Sequence, residues 1–352
     1  PVARARVLNL VVLVEAERLN AAADDAADLA VHHPARTIIV GMDRTRRENS
    51  MTAEVRARCH VFFGRRQQVC SEQVIVTATG ESVEEFHGVV TPLLTSDLPT
   101  FLWWMGRRWP EGHAFERLMT SCNRVIIDSG SFIDSVAEFD RLQLFIRDYS
   151  QSGAVERSVA DINWTRLTPW RLALAGLYDV PTYRQCLATP KRVSITYLDG
   201  LDASKGNTQT DKHLSISGPV LIAGWLASRL GWTSKARIGT GVVKFLSGES
   251  ELEVALQPVQ YGKDAPGCKA CYIQKVEFEC GQKGEAKFSI QMGSDFIETR
   301  AAIQGLPEAS RKVGFNPSSE ADLVAEELDF LARDFVYEES VHSAVGICRF
   351  LA

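Results

Sequence analysis

Near its start the sequence carries an almost unbroken apolar run, Val7–Val14, with the residues VLNLVVLV. A run this short and this apolar is typical of a strand in a parallel sheet, because helices cover both faces of such a sheet. A helical pattern over Leu19–Val31 and a second apolar run at Thr37–Val40 follow it. Together the three segments predict a β-α-β unit, which belongs in a layered α/β domain.

The rest of the N-terminal half continues the alternation of strands and helices, apart from one predicted pair of antiparallel strands. Glu54–Phe63 alternates apolar and polar side chains, which indicates a strand with one exposed face, and Val69–Thr77 is its expected antiparallel partner. Ser82 and Glu85 predict a capping box at the start of a helix that runs to Val90. Strands are further predicted at Thr100–Met105 and Arg124–Asp128, and helices at Ala114–Ser121 and Ile133–Tyr149.

A length of 352 residues argues for two domains, and the polar segment Ser150–Ser158 is the best candidate for a linker. Residues 1–157 are predicted to form an α/β N-terminal domain, in which helices cover a mostly parallel sheet. Residues 158–352 are predicted to form an α+β C-terminal domain with an antiparallel sheet, because their strands follow one another through short turns that contain glycine. The predicted strands of this domain are Val193–Leu198, Val242–Leu246, Leu252–Pro258, Tyr272–Glu279, Lys287–Met292 and Phe296–Arg300, and its predicted helices are Thr168–Tyr178, Gly218–Leu230, Ser319–Phe335 and Ser340–Leu351.

The charge balance argues against a protein that binds nucleic acid. The sequence has 39 Lys and Arg residues against 44 Asp and Glu residues, a net charge of −5, whereas nucleic-acid-binding domains carry a basic excess. One basic stretch contains seven arginines between Arg44 and Arg66. We interpret this stretch as a solvated face with local ion pairs.

The apolar segments are too short to cross a membrane. The longest, Val7–Val14 and Pro219–Ala227, fall well below the length of about 18 residues that a membrane span needs. Neither has the flanking residues of a signal peptide. We therefore expect a cytoplasmic protein without a membrane partner. Because the sequence begins at Pro1 rather than at Met, we also expect it to start inside a longer gene product.

Motifs for catalysis, for a cofactor and for a metal are not found in the sequence. A dinucleotide-binding loop needs glycines directly after the first strand, but Val14 is followed by the residues EAER. The patterns of a P-loop, of a zinc protease helix and of a nucleophile elbow are also missing. From these motifs we assign no catalytic residue, no bound cofactor and no metal.

One alternative gives the protein a small-molecule site. Asp128 and Ser129 follow an apolar strand, and ligands of open α/β sheets gather at the carboxyl ends of the strands. With Asp97 and Arg107, these residues could bind a sugar phosphate, which would make the protein a sugar-phosphate-binding α/β enzyme or sensor. A simpler interpretation of the same segment is a helix start that is capped by Ser131.

Tryptophan and arginine are concentrated at the end of the predicted strand Thr100–Met105 and directly after it. Both residue types dominate the centres of protein interfaces. We interpret the cluster as a candidate partner surface, while the alternative buries some of the rings in the core and leaves the arginines in solvent. The candidates are Trp103, Trp104, Arg107, Arg108 and Trp109.

Three of the eight cysteines, Cys268, Cys271 and Cys280, form a cluster in the sequence. A structural zinc site would need a fourth ligand, which no nearby Cys or His supplies. The C-x-x-C pair leads into a strand, whereas a thioredoxin-like enzyme places it at a helix N-terminus. Neighbouring lysines would stabilise a thiolate if the thiols are exposed. We therefore predict a reversible disulfide within this trio, with a purely structural role as the alternative.

Four segments of the sequence, in this order, resemble one known family. They are Pro92–Gly106 (PLLTSDLPTFLWWMG), Asn123–Ser129 (NRVIIDS), Asp161–Arg171 (DINWTRLTPWR) and Leu221–Trp232 (LIAGWLASRLGW). In these segments the sequence is similar to the OpcA family, the glucose-6-phosphate dehydrogenase assembly proteins of cyanobacteria and actinobacteria. The resemblance extends from the opening strand to the final helices.

The resemblance implies a role in protein assembly rather than in catalysis. A member of this family is expected to bind glucose-6-phosphate dehydrogenase and to act as an allosteric activator that favours its active form in the oxidative pentose phosphate pathway. Its expected partners are the dehydrogenase and, for redox regulation of the cysteine trio, a cytosolic disulfide reductase such as thioredoxin. Neither nucleic acid nor a membrane is an expected partner.

Overall fold

A computed structural model describes residues 6–61, 68–151, 157–199, 216–260, 273–281 and 284–351. The chain divides into two compact units, and each contains one sheet. The first unit comprises Pro1–Asp128, Ile146–Ile162 and Ser318–Asp334. The second unit comprises Ser129–Phe145, Asn163–Pro317 and Phe335–Ala352.

The described residues form strands and α-helices in both units. The strands are β1 Leu8–Glu15, β2 Ala35–Asp43, β3 Ser50–Val61, β4 Gln68–Thr79, β5 Thr100–Trp104, β6 Arg124–Ile127, β7 Ser158–Asp161, β8 Pro190–Asp199, β9 Trp232–Gly239, β10 Val242–Ser247, β11 Ser250–Gln260, β12 Ile273–Cys280, β13 Ala286–Met292, β14 Phe296–Ile303 and β15 Ala309–Gly314. The helices are α1 Leu19–His32, α2 Phe86–Val90, α3 His113–Met119, α4 Ser135–Gln151, α5 Ile162–Arg166, α6 Thr168–Tyr178, α7 Pro181–Leu187, α8 Ser217–Leu230, α9 Glu320–Leu328 and α10 Phe335–Leu351.

The first sheet confirms the predicted α/β class of the N-terminal half. Its strand order is β3-β4-β2-β1-β5-β6-β7. All neighbouring strands are parallel except β3 and β4, which form the predicted antiparallel pair. The six parallel strands follow the doubly wound order, in which the direction of strand addition reverses at β1.

The core of the first unit lies between this sheet and helices α1 and α9. β1 is buried along almost its whole length, as the apolar run predicted. Ala22, Ala23 and Ala26 of α1 are buried in the same cluster, and their small side chains let the helix backbone approach the sheet. Leu323 and Val324 of α9 belong to this cluster too.

The second sheet is mostly antiparallel, as predicted for the C-terminal half. Its strand order is β15-β14-β13-β12-β8-β11-β10-β9, and only β8 and β11 pair in parallel. Helix α8 packs closely on α10. At Gly224 a Cβ atom would lie 2.4 Å from the carbonyl oxygen of Ser340 and 2.9 Å from the amide nitrogen of Ala344, so only glycine fits this crossing.

Some predicted element boundaries were wrong. Residues 80–85 form a 3-10 helix without a side-chain cap, so the predicted capping box at Ser82 is not present. The capping box that the structure contains joins Ser319 to Asp322 at the start of α9. This helix ends at Leu328 rather than at Phe335, and α10 begins at Phe335. Strands β7, β9 and β15 and helices α5 and α7 were not predicted.

The two compact units do not correspond to a single cut of the chain. β7 begins at Ser158 and belongs to the first sheet, although the sequence places the domain boundary at 157/158. The segment Ser318–Asp334 belongs to the first unit although it follows the whole second sheet. Burial of Leu323, Val324 and Leu328 in the first core explains this placement. The division into domains 1–157 and 158–352 stays a prediction.

Among the described helices, none is both long enough and apolar enough to cross a membrane.

Candidate functional site

The candidate partner residues lie at the carboxyl edge of the first sheet. β1 and β5 are neighbours, and the strand order reverses between them, which is where open α/β sheets usually place their functional loops. The segments Glu15–Arg18 and Met105–Trp109 follow these two strands. The sequence therefore concentrates tryptophan and arginine at the topological switch point of the sheet.

The two tryptophans of β5 have different environments. Trp103 is fully buried in the hydrophobic core and cannot touch a partner. Trp104 is partly exposed, and its indole Nε1–H donates a hydrogen bond of 2.8 Å to the backbone carbonyl of Arg108. The Trp104 ring covers Gly106 so closely that a Cβ atom there would lie 2.1 Å from the ring. Trp104 and Gly106 together fix the path of the loop.

In the loop after β5, the two arginines are more exposed to solvent than the last tryptophan. Arg108 is exposed and Arg107 is half-buried, whereas Trp109 is buried. The solvent-facing surface of this loop is formed by Trp104, Arg107 and Arg108. Trp103 and Trp109 support the surface from within.

Arg18, an exposed residue, connects the turn after β1 to the segment after β5. Its guanidinium donates a hydrogen bond of 3.0 Å to the carbonyl oxygen of Met105. The turn that carries it, Ala16–Arg18, is a 3-10 helix without glycine. A dinucleotide-binding loop at this position needs glycines, which let its backbone approach the pyrophosphate. The turn after β1 therefore lacks the glycine-rich backbone of a dinucleotide-binding loop.

Glu84 connects the loop after β2 to the start of helix α3. Its carboxylate accepts hydrogen bonds from the Arg44 guanidinium and from the backbone amide of Ala114. Burial opposes ionisation of Glu84, but these hydrogen bonds outweigh burial and lower the pKa of the carboxyl. Gly112, at a φ of +115°, leaves the space that the carboxylate fills. This carboxylate has a structural role.

Four arginines of the basic stretch pair with nearby acids. Arg46 pairs with Asp43, Arg56 with Glu54 and Arg58 with Asp24, as Arg44 does with Glu84. Arg65 and Arg66 lie outside the described residues. These four ion pairs match the interpretation as a solvated face with local ion pairs.

The residues of the sugar-phosphate alternative are not gathered at one edge of the first sheet. Asp97 precedes β5, whereas Arg107 follows it, and Asp128 follows β6. The five residues of β5 span roughly 16 Å, so Asp97 lies at the opposite edge from Arg107. Ser129 belongs to the second unit, where it is buried and its hydroxyl accepts a hydrogen bond of 3.0 Å from Asn163. Asp97 therefore cannot share a site with Arg107.

Only one member of the cysteine trio lies within the described residues. Cys268 and Cys271 lie outside them. Cys280 ends β12 on its buried face, where burial and, less strongly, nearby Cys186 raise the pKa of its thiol to about 12. The expected stabilisation of a thiolate does not apply to Cys280, because burial favours the neutral thiol. In the described part of the chain no three His, Cys, Asp or Glu residues are placed to hold a metal.

A buried ion pair at the amino edge of the first sheet escaped the sequence analysis. Arg124, the first residue of β6, is only 4% exposed and pairs with Glu327 of α9, which is 13% exposed. Its guanidinium also donates hydrogen bonds to the hydroxyl of Ser158 at 2.8 Å and to the carbonyl of Ala332 at 2.9 Å. The sequence did contain one sign of this ion pair, because a charged residue begins the otherwise apolar strand RVII.

Comparison with known proteins adds two family matches and three curated relatives. Residues 26–144 match the N-terminal domain of a glucose-6-phosphate dehydrogenase subunit, and residues 157–341 match the C-terminal domain. The putative OxPP cycle protein OpcA of Nostoc punctiforme is 32% identical over 208 residues, which are 59% of this chain and 40% of the relative. The protein of the same name from Synechococcus elongatus is 32% identical over 186 residues, 53% of this chain and 37% of the relative. The matched regions thus span less than half of these relatives.

The fold of the whole chain is similar to that of solved dehydrogenases. Levoglucosan dehydrogenase in complex with NADH and L-sorbose aligns over 97% of this chain and 96% of its own, with a TM-score of 0.53 and 10% identity. At this identity the likeness shows the fold alone. The matched C-terminal domain model covers more than half of the 352 residues. The chain therefore belongs to the OpcA family, whose matched domains are described as those of a glucose-6-phosphate dehydrogenase subunit.

Proposed function

We propose that this protein binds glucose-6-phosphate dehydrogenase as a non-catalytic assembly factor and allosteric activator. The observation that carries the proposal is the pair of family matches, which follow each other over residues 26–144 and 157–341. The glycine-free turn after β1, whose Arg18 side chain is bonded to the carbonyl of Met105, supports a role without a nucleotide cofactor. Cytoplasmic location belongs to the same proposal.

Activation requires that the protein bind the active form of the dehydrogenase more tightly than the inactive form. Equal affinity for both forms would shift no population. Linkage makes the effect reciprocal. If complex formation raises the affinity of the dehydrogenase for its substrate by some factor, the substrate must raise the affinity of the dehydrogenase for this protein by the same factor. A ten-fold effect corresponds to about 1.4 kcal/mol of coupling free energy.

Isothermal titration of the dehydrogenase with this chain tests the proposal. We expect a saturable complex whose dissociation constant falls about ten-fold when glucose 6-phosphate is present. Absence of any complex would contradict the proposed function. Equal dissociation constants with and without the sugar phosphate would contradict the coupling but not the assembly.

The same titration tests whether the partner surface lies at the carboxyl edge of the first sheet. The double variant Arg107→Ala, Arg108→Ala is expected to bind at least ten-fold more weakly, because both side chains belong to the surface beside Trp104. Arg56→Ala, which removes an arginine that is paired on strand β3, is the matched control and is expected to bind as the parent does. Unchanged affinity in a folded double variant would place the partner surface elsewhere.

Redox control of this activation is a second part of the proposal. We propose that a reversible disulfide within Cys268, Cys271 and Cys280 alters the coupling to the dehydrogenase, with thioredoxin as the reductant. Thiol–disulfide exchange needs an accessible thiolate. Burial and the raised pKa of Cys280 disfavour it as the attacking thiol, so the exchange is assigned to Cys268 and Cys271.

Cysteine variants separate these roles. The double variant Cys268→Ser, Cys271→Ser is expected to activate the dehydrogenase equally under oxidising and reducing conditions, whereas the parent responds to the change. Cys186→Ser, which removes a half-buried thiol of α7, is the control and should respond as the parent does. If the triple variant that also carries Cys280→Ser still responds like the parent, the trio is not the switch.

A further inference from the structure

The connection between α9 and α10 exposes three consecutive apolar residues, Phe330, Leu331 and Ala332. Phe330 is 63% exposed and Leu331 is 47% exposed. A run of exposed apolar residues is a liability for an isolated protein, because it invites aggregation. Surface runs of this kind are therefore typical of contact sites rather than of ordinary loops.

Buried side chains of the first sheet hold the backbone of this segment. The hydroxyl of Ser158, a fully buried residue, donates a hydrogen bond of 2.9 Å to the carbonyl of Leu331. Arg124 donates one of 2.9 Å to the carbonyl of Ala332 and also pairs with Glu327, one turn before the segment. Such anchoring removes most of the backbone freedom that a flexible loop would lose on binding, and preorganisation of this kind favours affinity.

The segment lies far from the carboxyl-edge surface described above. Arg124 and Ser158 are the first residues of the parallel strands β6 and β7, so the segment sits at the amino edge of the first sheet. Arg107 and Arg108 follow β5 at the opposite edge. Variants at one edge can therefore be tested without disturbing the other.

Acidic residues predominate on the N-terminal side of the segment, while Arg333 and Asp334 follow it on the other side. Glu326 and Asp329, which flank it on the N-terminal side, are exposed, and Asp322 is exposed on the same helix. Asp329 lies 3.7 Å from His33, which directly follows α1, and His32 at the end of α1 is close enough to act on Asp322. A partner surface that complements this patch offers an apolar pocket bordered by lysine or arginine side chains.

We propose that Phe330–Ala332 is a rigid apolar contact site for a partner protein that presents such a basic-rimmed pocket. The identity of the partner rests on the proposed function, which names glucose-6-phosphate dehydrogenase. Phe330 and Leu331 insert into the pocket, while Glu326 and Asp329 face the basic rim. The site is separate from the loop that carries Arg107 and Arg108, so this chain contacts its partner at two edges of one sheet.

The double variant Phe330→Ser, Leu331→Ser tests the site by titration against the dehydrogenase. We expect at least a ten-fold loss of affinity with no loss of thermal stability, since both side chains are exposed and contribute little to folding. Leu172→Ser, at a residue of α6 that is 68% exposed, is the matched control and is expected to keep the parent's affinity. Glu326→Gln is expected to make the affinity less sensitive to salt than that of the parent.

The outcomes distinguish this site from the proposed function. If the parent does not bind the dehydrogenase at all, the proposed function fails and the assigned partner fails with it. If the parent binds and the folded double variant binds equally well, only the contact site is overturned. If sedimentation shows a dimer of the parent that the double variant abolishes, the segment contacts a second copy, which also overturns the proposal.

Discussion

Replacing Arg124 by alanine is expected to lower the free energy of unfolding by about 3–5 kcal/mol, the usual cost of removing one partner from a buried ion pair. The substitution leaves the Glu327 carboxylate, which is 13% exposed, without its cation. It also leaves the hydroxyl of Ser158 and the carbonyl of Ala332 without the hydrogen bonds that the guanidinium donates. Urea unfolding followed by tryptophan fluorescence measures the loss.

Two further variants separate the buried charge from the general effect of losing an arginine. Arg192→Ala removes the partner of Glu253 from a pair whose side chains are 38% and 41% exposed, and it is expected to cost less than about 1 kcal/mol. The apolar double variant Arg124→Met, Glu327→Leu is expected to recover part of the loss, because it leaves no charge behind. A loss below 1 kcal/mol in Arg124→Ala would mean that the pair is hydrated in solution.

Replacing Gly224 by alanine is expected to destabilise the second unit by about 3 kcal/mol, at the upper end of ordinary overpacking. The new Cβ atom would lie 2.4 Å from the carbonyl oxygen of Ser340 and 2.9 Å from the amide nitrogen of Ala344. Both atoms belong to the backbone of α10, so relief requires that one helix move away from the other. Thermal and urea unfolding of the variant measure this cost.

Gly176→Ala in α6 is the matched control, and we expect the opposite sign. No heavy atom lies within 4 Å of the position that its Cβ would occupy. Alanine should therefore act only through helix propensity and stabilise the protein by about 0.5–1 kcal/mol. If both variants changed stability in the same direction, the close approach of α8 and α10 would not explain the effect of Gly224→Ala on stability.

Elements whose signal is local could be predicted from the sequence. The apolar run of β1, the β3–β4 pair and the buried helix α8 follow from periodicity, because burial repeats every two residues in strands and every 3.6 in helices. The glycine that ends α8 was equally readable, since Gly231 adopts a left-handed conformation with a φ of +68°. The local signal thus gave most of the architecture.

Features that depend on distant contacts could not be predicted. The break between α9 and α10 has no local breaker, and the bonds that fix it join Arg124 and Ser158 to residues about 200 and 170 positions away. Composition identified the tryptophan and arginine cluster, but it did not show which side chains are buried and which are exposed. Trp104 packs on Gly106, whereas Trp103 is buried in the core. For Cys280 a signal existed: it continues the alternation of Val276 and Phe278 and therefore lies on the buried face.

The late position of α9 in the sequence has a consequence for how the protein folds during synthesis. The first unit needs Leu323, Val324 and Leu328 to complete its core, yet the ribosome makes these residues after the whole second sheet. Until then, the apolar side chains of α1 that α9 covers are exposed, which is a risk for a nascent chain. The first half of the chain therefore cannot reach its final stability as it emerges, and a fragment that stops before residue 318 lacks part of its own core.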